Sequence, residues 1–391
     1  MQGACAVAEV ARTVRAVIAF SDTGGGHRSL SSAVAHALRA RGVDVRMEDL
    51  FVNSRPGLAY RITRLYPLFV RRLPTIYGAA FRLTNHPTVY LPMIRLFGRR
   101  TRQRARAVLV AHQPDVVLSA HPLCTAPILD VRDLVGRPPL LSLTAELVTV
   151  HASWADRRID AFMAASAEAV ESLRRQGASP ERIRRTGLPV GQRFGRVTES
   201  PASVRLSLGL DPDRFTVLLA GGGEGFGALD RLAAAIDASE LEAQLVVVCG
   251  RDDALRARLE ARHYRRPVRV LGFVDNMPEL LHACSVLVGK GGPTTIAEAL
   301  TAGRPVLVTS LIPGQEEGND RWIEGVGAGL STPTHDRLLR ALVRLERDPA
   351  FLAELSAAAR EHSFADAAER VASWALELAL KQAARPRGQV V

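Results

Sequence analysis

Short apolar runs alternate with helical patterns along most of the chain. Residues 14–20 form a short, largely apolar and partly β-branched run, which predicts a buried strand. After this run, Leu30, Val34 and Leu38 recur at helical spacing, and Gly42 stands where a helix would end. A strand followed by a turn and a helix opens a βαβ unit, so the pattern predicts an α/β fold.

The same alternation continues through the second half of the chain. Residues 187–203 contain glycine and proline with little pattern, which predicts a linker. Residues 333–381 have apolar positions at helical spacing, which predicts a helical tail. Further strands with their exit loops are predicted at 115–123, 139–147, 161–166, 215–220, 244–249, 268–271, 285–288 and 305–308. We therefore predict two doubly wound domains, residues 14–195 and 204–375.

A run of three glycines, Gly24, Gly25 and Gly26, separates the first predicted strand from its helix. Glycine lets the backbone approach a ligand closely, and the helix N-terminus behind it favours anions. The spacing is not G-x-G-x-x-G, so no dinucleotide site is predicted. His27 follows directly and would lie at the carboxyl edge of the sheet, where open α/β folds bind ligands. It is a candidate for proton transfer, with a structural histidine as the alternative.

Two more glycine loops follow predicted strands, at 217–229 and 286–300. In the second of them Thr294 and Thr295 begin the helix, so amides, hydroxyls and the helix dipole would form a phosphate site without a metal. Glu298 lies one turn further along and could accept two hydroxyls of a ribose. The alternative for Glu298 is a favourable charge near the N-terminus of the helix.

Polar residues cluster after the predicted strand at 305–308. Pro313 and Gly314 lead into a dense polar set, which comprises Gln315, Glu316, Glu317, Asn319 and Asp320. Polar groups at the carboxyl end of a strand suit recognition of a polyhydroxylated ligand. A solvent-exposed loop can have the same composition, but the phosphate-type loop directly before it favours a ligand.

Size and composition are those of a soluble α/β protein. The chain has 391 residues, of which 47% are hydrophobic, enough for two domains with full cores. Its four cysteines, Cys5, Cys124, Cys249 and Cys284, have no metal-ligand or C-x-x-C spacing, which favours reduced thiols in a cytoplasmic protein. No apolar stretch reaches the roughly 18 residues of a membrane span, and residues 1–12 lack the features of a secretion signal.

The positive charge is concentrated in one span. Residues 50–114 contain twelve arginines and no Asp or Glu, so they carry +12 in a chain whose net charge is +11. Aromatic and aliphatic residues lie between the arginines, a mixture that favours an anionic membrane surface. A solvated basic face is the next alternative and a nucleic-acid site the third. We expect Arg71, Arg72, Arg99 and Arg100 to contact the membrane, and we expect no nucleic-acid partner.

With these segments the chain resembles the monogalactosyldiacylglycerol synthases and the related bacterial processive diacylglycerol glucosyltransferases. The matching segments are SDTGGGHRS, QPDVVLSAHPL, HASW, GLPV, GGGEGFG, CGR, GFVDNM, KGGPTTIAEAL and PGQEEGN, within residues 14–375. More distantly, the chain resembles the enzyme that adds N-acetylglucosamine to lipid-linked muramyl pentapeptide. The resemblance is to glycosyltransferase family 28 and implies a GT-B fold, in which two Rossmann-like domains face a cleft.

The resemblance also implies an inverting hexosyltransferase that uses a UDP-sugar, needs no metal or other cofactor, and acts on the hydroxyl of diacylglycerol or a related lipid. The amino-terminal domain would bind the lipid at the inner face of the cell membrane, with the glycine run at the acceptor and His27 as the base. Glu146 and His151 are the other catalytic candidates. The implied donor positions are Phe273 and Val274 for uracil, Glu298 for the ribose, Gly223, Thr294 and Thr295 for the diphosphate, and Gln315 and Glu316 for the sugar, with Gly222, Glu224, Arg251, Gly292 and Asn319 beside them.

Two departures from the family pattern affect the chemistry. Where the plant-type sequence has Thr-Asp-Leu, this chain has Ala145, Glu146 and Leu147, so the carboxylate is one methylene longer. Glu146 could orient His27 or act as the base itself, and the sequence does not decide between these roles. Gly-Gly-Pro-Thr-Thr also replaces the more usual Gly-Pro-Gly-Thr ahead of the donor-site helix.

Three other functions fit parts of the pattern. A glycosyltransferase with a natural-product or lipid-linked acceptor is the nearest, because the acceptor half is the less closely matched half. A UDP-sugar 2-epimerase shares the fold and the donor site but has no need of the acid-free basic span. A basic nucleic-acid-binding protein leaves the GQEEGN segment unexplained. Galactose and glucose donors are not distinguished by the sequence.

Overall fold

The computed structural model describes residues 12–21, 25–51, 69–70, 72–86, 88–90, 92, 98–223 and 227–384. Within these residues the strands form two parallel sheets, one in each half of the chain, with helices packed on their faces. Strands in such sheets are buried on both sides, and this explains the short apolar runs that predicted them. The α/β prediction with two doubly wound sheets is confirmed.

The first sheet has the strand order β2-β1-β3-β4-β5-β6. Its strands are β1 Arg15–Phe20, β2 Asp44–Asp49, β3 Val116–Ser119, β4 Leu140–Leu143, β5 Ala161–Ala164 and β6 Ile183–Arg185. The order reverses between β1 and β3, and open α/β sheets bind ligands outside the carboxyl ends of the strands at such a switch point. His27 follows β1, so the sequence placed it correctly at this switch point.

The second sheet has the strand order β12-β11-β10-β7-β8-β9. Its strands are β7 Thr216–Ala220, β8 Gln244–Val248, β9 Val268–Leu271, β10 Val286–Lys290, β11 Val306–Ser310 and β12 Gly329–Ser331. Here the switch point lies between β7 and β10, and the two glycine loops of this half follow those strands. In this sheet, the starts and ends of the five predicted strands lie within two residues of the observed ones, and β12 was not predicted.

Helices cover both sheets. Those of the described first half are α1 Gly26–Arg39, α2 Pro74–Thr84, α3 Arg99–His112, α4 Pro122–Leu129, α5 Ala167–Arg175 and α6 Pro201–Ser207. Those of the second half are α7 Leu229–Asp237, α8 Asp253–Glu260, α9 Met277–Ala283, α10 Pro293–Thr301, α11 Asn319–Gly325, α12 His335–Arg347, α13 Pro349–Glu361 and α14 Ala367–Ala383. Helix α1 ends three residues before Gly42, whose φ of 76° closes the turn into β2.

The last helix returns to the first half of the chain. The predicted helical tail is formed by α12, α13 and α14, and α14 packs against α1 and β3 of the first sheet. Its buried face includes Val371, Trp374 and Ala375, and Arg184 of β6 lies over the Trp374 ring at 4.7 Å. The layer of helices on the first sheet therefore includes a helix from the far end of the described chain.

The predicted linker at 187–203 joins the two sheets. It contains a short 3-10 turn, Gln192–Gly195, and the beginning of α6. Arg193 in this segment pairs with Glu279 of α9. The linker is thus attached to the second half of the chain.

Candidate functional site

The carboxyl ends of the two sheets face each other across a narrow cleft. A Cβ atom built on Gly26, at the start of α1, would lie 2.8 Å from Oγ1 of Thr294, at the start of α10. One turn further along both helices, Oγ of Ser29 donates a hydrogen bond to Oε1 of Glu298 at 3.3 Å. The structure therefore brings together two of the glycine loops that the sequence selected separately. Gly25, with a φ of 85°, caps α1 at this point.

His27 lies in this cleft beside a second histidine. Its ring centroid is 4.6 Å from that of His121, in a T-shaped arrangement, and 6.2 Å from the Trp154 ring. His121 follows β3 and caps α4, because its Nδ1 accepts a hydrogen bond from the Leu123 amide at 3.2 Å. Burial and the nearby His27 hold the pKa of His121 well below its usual range, so His121 is neutral at pH 7.

Sequence reasoning missed His121 as a site residue. It is the second residue after β3, which shares the switch point with β1, and it stands inside the matching segment QPDVVLSAHPL. Its position in the exit loop of the strand predicted at 115–123 is the signal that could have identified it.

Glu146 is buried in the loop after β4 and faces charged groups of the second half. Its pKa is raised well above the usual range, first by burial and then by the charge of Glu316, whereas a hydrogen bond with Trp154 and the charge of Lys290 oppose the shift. Among the described residues Oε2 of Glu146 has no hydrogen-bond partner, although it is buried. Burial therefore favours the protonated form of Glu146 over the charged form, compared with an exposed carboxyl.

His151 holds helix α2 against the loop that follows β4. Its Nδ1 contacts the amide and the hydroxyl of Ser153 at 3.1 and 2.8 Å. Its Nε2 contacts the carbonyl oxygen of Phe81 at 3.1 Å and Oγ1 of Thr84 at 3.3 Å. Burial lowers its pKa to about 4, against the opposing effect of the Phe81 hydrogen bond. Both ring nitrogens therefore make structural contacts, and the catalytic role of His151 stays a prediction.

The loop after β7 is closely packed against the residues that follow β8. A Cβ atom on Gly250 would lie 2.5 Å from the carbonyl oxygen of Gly223, and the Arg251 amide donates to that oxygen at 2.9 Å. The Arg251 guanidinium lies over the Phe273 ring at 4.8 Å. Phe273 is 61% exposed, so an aromatic face suited to a planar base is available beside an arginine. Gly222, Val274 and Thr295, the other predicted donor positions of these loops, are half-buried.

Residues 312–317 form the other end of the cleft. We call them the sugar loop, after the sugar contact that the family resemblance predicts for Gln315 and Glu316. Glu316 is buried, forms an ion pair with Lys290 and accepts a hydrogen bond from the Ile312 amide at 2.9 Å. A Cβ atom on Gly292 would lie 2.7 Å from Nζ of Lys290. Asn319 donates to the carbonyl oxygen of Gly291 at 2.8 Å. Its Oδ1 is buried with no hydrogen-bond partner in the described part of the chain.

The predicted donor positions are therefore grouped along one cleft. From β9 to β11, the second sheet presents first an exposed aromatic face, then two glycine loops at helix N-termini, and finally a buried polar cluster. Gly24, Glu224 and Arg71 lie outside the described residues.

Comparisons with known proteins agree with this arrangement. Residues 27–190 match the monogalactosyldiacylglycerol synthase family, and residues 216–371 match the glycosyltransferase family 28 C-terminal domain. The chloroplastic monogalactosyldiacylglycerol synthase 3 of Arabidopsis thaliana is 31% identical over 338 residues, which cover 83% of this chain and 72% of the relative.

The chain belongs to the monogalactosyldiacylglycerol synthase family.

Membership makes it a glycosyltransferase that uses a UDP-sugar donor, and solved structures confirm the GT-B fold. MurG from Acinetobacter baumannii superposes with a TM-score of 0.60 at 17% identity, covering 93% of this chain and 99% of that one. A Listeria monocytogenes protein assigned as a UDP-N-acetylglucosamine 2-epimerase gives a TM-score of 0.62 at 14% identity, covering 97% and 100%. At such identities these similarities show a shared fold, whereas the family match distinguishes a transferase from an epimerase.

In this glycosyltransferase, part of the charge in the basic span is balanced by acids from elsewhere. Arg104 pairs with Glu48, and Arg82 with Glu317 at 3.2 Å. Arg102 lies 3.9 Å from Asp130. The predicted membrane arginines Arg72, Arg99 and Arg100 are exposed. The +12 counted from the sequence therefore overstates the charge that the span presents to solvent.

An apolar stripe lies beside the exposed arginines of this family member. Leu73, Ile76 and Leu83 are 43%, 53% and 70% exposed. Their spacing of three and seven residues puts them on one face of α2 and its N-terminal cap. Among the described residues, no helix has the length and hydropathy needed to cross a membrane.

Proposed function

We propose that this chain transfers galactose or glucose from its UDP derivative to the hydroxyl of diacylglycerol or a related lipid, with inversion at the anomeric carbon. The observation that carries the proposal is the meeting of α1 and α10. It puts the first turn of α1, which contains His27 and comes from the half assigned to the acceptor, against the helix N-terminus and Glu298 assigned to the nucleotide. The activity printed in the names of the relatives supports the same donor and acceptor classes.

The proposed step is a single displacement. The lipid hydroxyl oxygen bonds to the anomeric carbon, the bond from that carbon to the diphosphate oxygen breaks, and UDP leaves from the opposite face. His27 takes the hydroxyl proton, because histidine is the side chain that most often serves as a general base. The amides at the start of α10 and of the loop after β7 face the diphosphate and stabilise its growing charge, so we propose that no metal is required.

We assign Glu146 a role as a neutral hydrogen-bond donor near the sugar. The base must be unprotonated before the reaction, and burial, which raises the pKa of Glu146 well above its usual range, works against that condition. A protonated carboxyl carries one O–H donor, which a buried and unsatisfied oxygen can direct to a ligand. His27 therefore remains the candidate base.

Glu146→Gln is expected to keep turnover within about threefold of the parent, because an amide replaces a neutral carboxyl with similar shape and donor capacity. Glu146→Ala should lower turnover more strongly, since it removes the donor. Initial rates with saturating UDP-galactose would measure both variants. A loss of about 10²–10⁴-fold in Glu146→Gln would instead identify Glu146 as the base.

We further propose that the enzyme acts at the cytoplasmic face of the cell membrane as a peripheral protein. The exposed arginines and the apolar stripe on α2 supply the two contributions that interfacial binding needs, charge attraction and apolar insertion. A nucleic-acid surface would use the arginines but would leave the exposed leucines and isoleucine without a partner.

Arg72→Gln combined with Arg99→Gln is expected to weaken binding to anionic vesicles by about 2 kcal/mol, or about 30-fold, because each surface arginine contributes about 1 kcal/mol. Neutral vesicles should show a much smaller difference. Arg337→Gln with Arg340→Gln, two exposed arginines of α12, removes the same charge elsewhere and is the matched control. Sedimentation with liposomes of graded anionic content measures the effect. Identical binding by parent and mutant at every composition would leave the span as a solvated basic face.

A donor panel tests the reaction itself. UDP-galactose, UDP-glucose and UDP-N-acetylglucosamine would be offered with detergent-dispersed diacylglycerol, with and without a metal chelator. Mass spectrometry identifies the product and NMR its anomeric configuration, and we expect a β-linked hexosyl lipid that forms equally well with chelator. A product with retained configuration, or transfer only to a non-lipid acceptor, would overturn the corresponding part of the proposal.

A further inference from the structure

Helix α2 belongs to the basic span of the first half, yet one of its faces lies on the sugar loop of the second half. Oη of Tyr77 donates a hydrogen bond to Oε1 of Gln315 at 3.0 Å. A Cβ atom on Gly78 would lie 2.7 Å from Cβ of Pro313, so only glycine lets the helix come this close. The helix therefore meets the sugar loop both by a hydrogen bond and by close packing.

A second pair of contacts one turn later repeats this arrangement. A Cβ atom on Gly314 would lie 2.7 Å from the Phe81 ring, and Gly314 has a φ of 81°. Arg82 donates to Oε1 of Glu317 at 3.2 Å, and the Gly314 amide donates to the same oxygen at 2.9 Å. The loop and the helix are thus joined along most of the length of the loop.

Among the described residues, the remaining contacts of helix α2 lie mainly towards its C-terminal end. Gly78 is its one buried residue, and its described polar contacts with its own half are those of His151 and of Asn85, whose Oδ1 accepts from the Ala152 amide at 2.7 Å. An isolated helix of this length is only marginally stable, so the position of α2 depends on the residues that pack against it. The sugar loop touches one face, and the apolar stripe occupies another.

The hydrogen bond from Tyr77 has a chemical consequence for Gln315. Because the amide oxygen accepts from Tyr77, the NH₂ group with its two donors lies on the side away from that hydroxyl. Donor groups held in one orientation are what a site needs to recognise the hydroxyls of a hexose.

We propose that Tyr77 is a positioning residue for the donor sugar, and that through it helix α2 links docking on a lipid surface to recognition of the sugar. This inference rests on the sugar role proposed for Gln315. Tyr77 acts through Gln315 and is not itself assigned to the reacting atoms.

Tyr77→Phe is expected to raise the dissociation constant and the KM of UDP-galactose about 3- to 10-fold, the usual effect of one lost hydrogen bond. The dissociation constant of UDP alone should stay unchanged, because UDP lacks the sugar. Calorimetry with UDP and with UDP-galactose, in the absence of acceptor, separates the two. Tyr264→Phe is the matched control, since its hydroxyl donates to the Leu259 carbonyl oxygen away from the cleft. Equal losses for UDP and UDP-galactose would indicate a merely structural role and overturn the proposal.

A double-mutant cycle with Gln315→Ala separates this inference from the proposed function. If Tyr77 acts through Gln315, adding Tyr77→Phe to Gln315→Ala should cause no further loss of UDP-galactose affinity. Additive losses would overturn the positioning role while leaving the sugar role of Gln315 intact. If Gln315→Ala leaves the ratio of UDP-galactose to UDP affinity unchanged, both the sugar role and this inference fail.

The lipid link is tested by adding vesicles of equal parts phosphatidylcholine and phosphatidylserine to the same titrations. We expect the parent to bind UDP-galactose about fivefold more tightly on vesicles, with no change for UDP, and Tyr77→Phe to lose this gain. Because such coupling is reciprocal, UDP-galactose should also strengthen vesicle binding by the same factor. A gain that is equal for UDP and UDP-galactose, or no gain in the parent, would overturn the link.

Discussion

Replacing His27 with alanine is expected to lower turnover by about 10²–10⁴-fold, the usual cost of losing a general base. His27 is the second residue of α1, whose first turn meets α10, and its ring lies beside that of His121. Since the nucleotide positions lie on the second sheet, the affinity for UDP should not change. The mutation therefore distinguishes an effect on the rate of sugar transfer from an effect on the affinity for the donor.

Single-turnover rates with diacylglycerol, together with UDP calorimetry, measure the two effects. His36→Ala is the matched control, because His36 is exposed on the same helix and its loss tests the stability of α1 alone. A His27→Ala enzyme that transfers sugar at the parent rate would end the assignment of the base. A large loss of UDP affinity would show that the mutation disturbs the cleft more broadly.

Glu298→Ala is expected to weaken UDP binding by about 2–4 kcal/mol, because two ribose hydroxyls would lose a charged acceptor. Glu298 lies one turn into α10, next to the cleft, where Ser29 already donates to one of its oxygens. Calorimetry with UDP alone measures the loss. An unchanged affinity would remove Glu298 from the ribose site.

The carboxyl group of Glu298 should also make the affinity for UDP depend on pH. Burial raises the pKa of Glu298 to about 7, and the hydrogen bond from Ser29 opposes that shift. The group is protonated below this value and charged above it, so UDP affinity should rise as pH increases from 6 to 8. Glu298→Gln should lose this Glu298-dependent rise and retain only the pH response of UDP itself. Ser29→Ala, which removes the opposing hydrogen bond, should move the midpoint to higher pH.

Local features were predictable because each depends on residues that are consecutive in the sequence. The glycine loops before α1 and α10 stood out as backbone freedom between an apolar run and a helical pattern, and the structure places both at switch points. The position of Glu298 one turn into its helix followed from the same pattern. Family resemblance then supplied roles that the residues alone left open.

Long-range pairing was not predictable in the same way. Lys290, at the end of β10, forms an ion pair with Glu316, which follows a different strand. Arg104 was counted as free charge, but its partner Glu48 lies in β2. Whether an acid and a base meet depends on the order of strands in the sheet, and periodicity does not reveal that order.

The apolar residues of α2 illustrate a different limit. Leu73, Ile76 and Leu83 have the helical spacing of a core face, but they are exposed. A stripe that packs on a core and one that enters a lipid surface have the same sequence pattern, because both remove apolar groups from water. The absence of acids nearby is the feature of the sequence that favours a lipid surface, and this interpretation stays a prediction.

The return of α14 to the first sheet has a consequence for biosynthesis. Leu30 and Val34 of α1 are fully buried, and α14, which packs on α1, begins more than 300 residues later. At about 5–20 residues per second, a ribosome needs roughly 20–70 s to cover that distance. During this interval the nascent acceptor half lacks the helix that closes its core. Its folding can be completed only after the nucleotide half has been translated, so the two halves mature together although each has its own sheet.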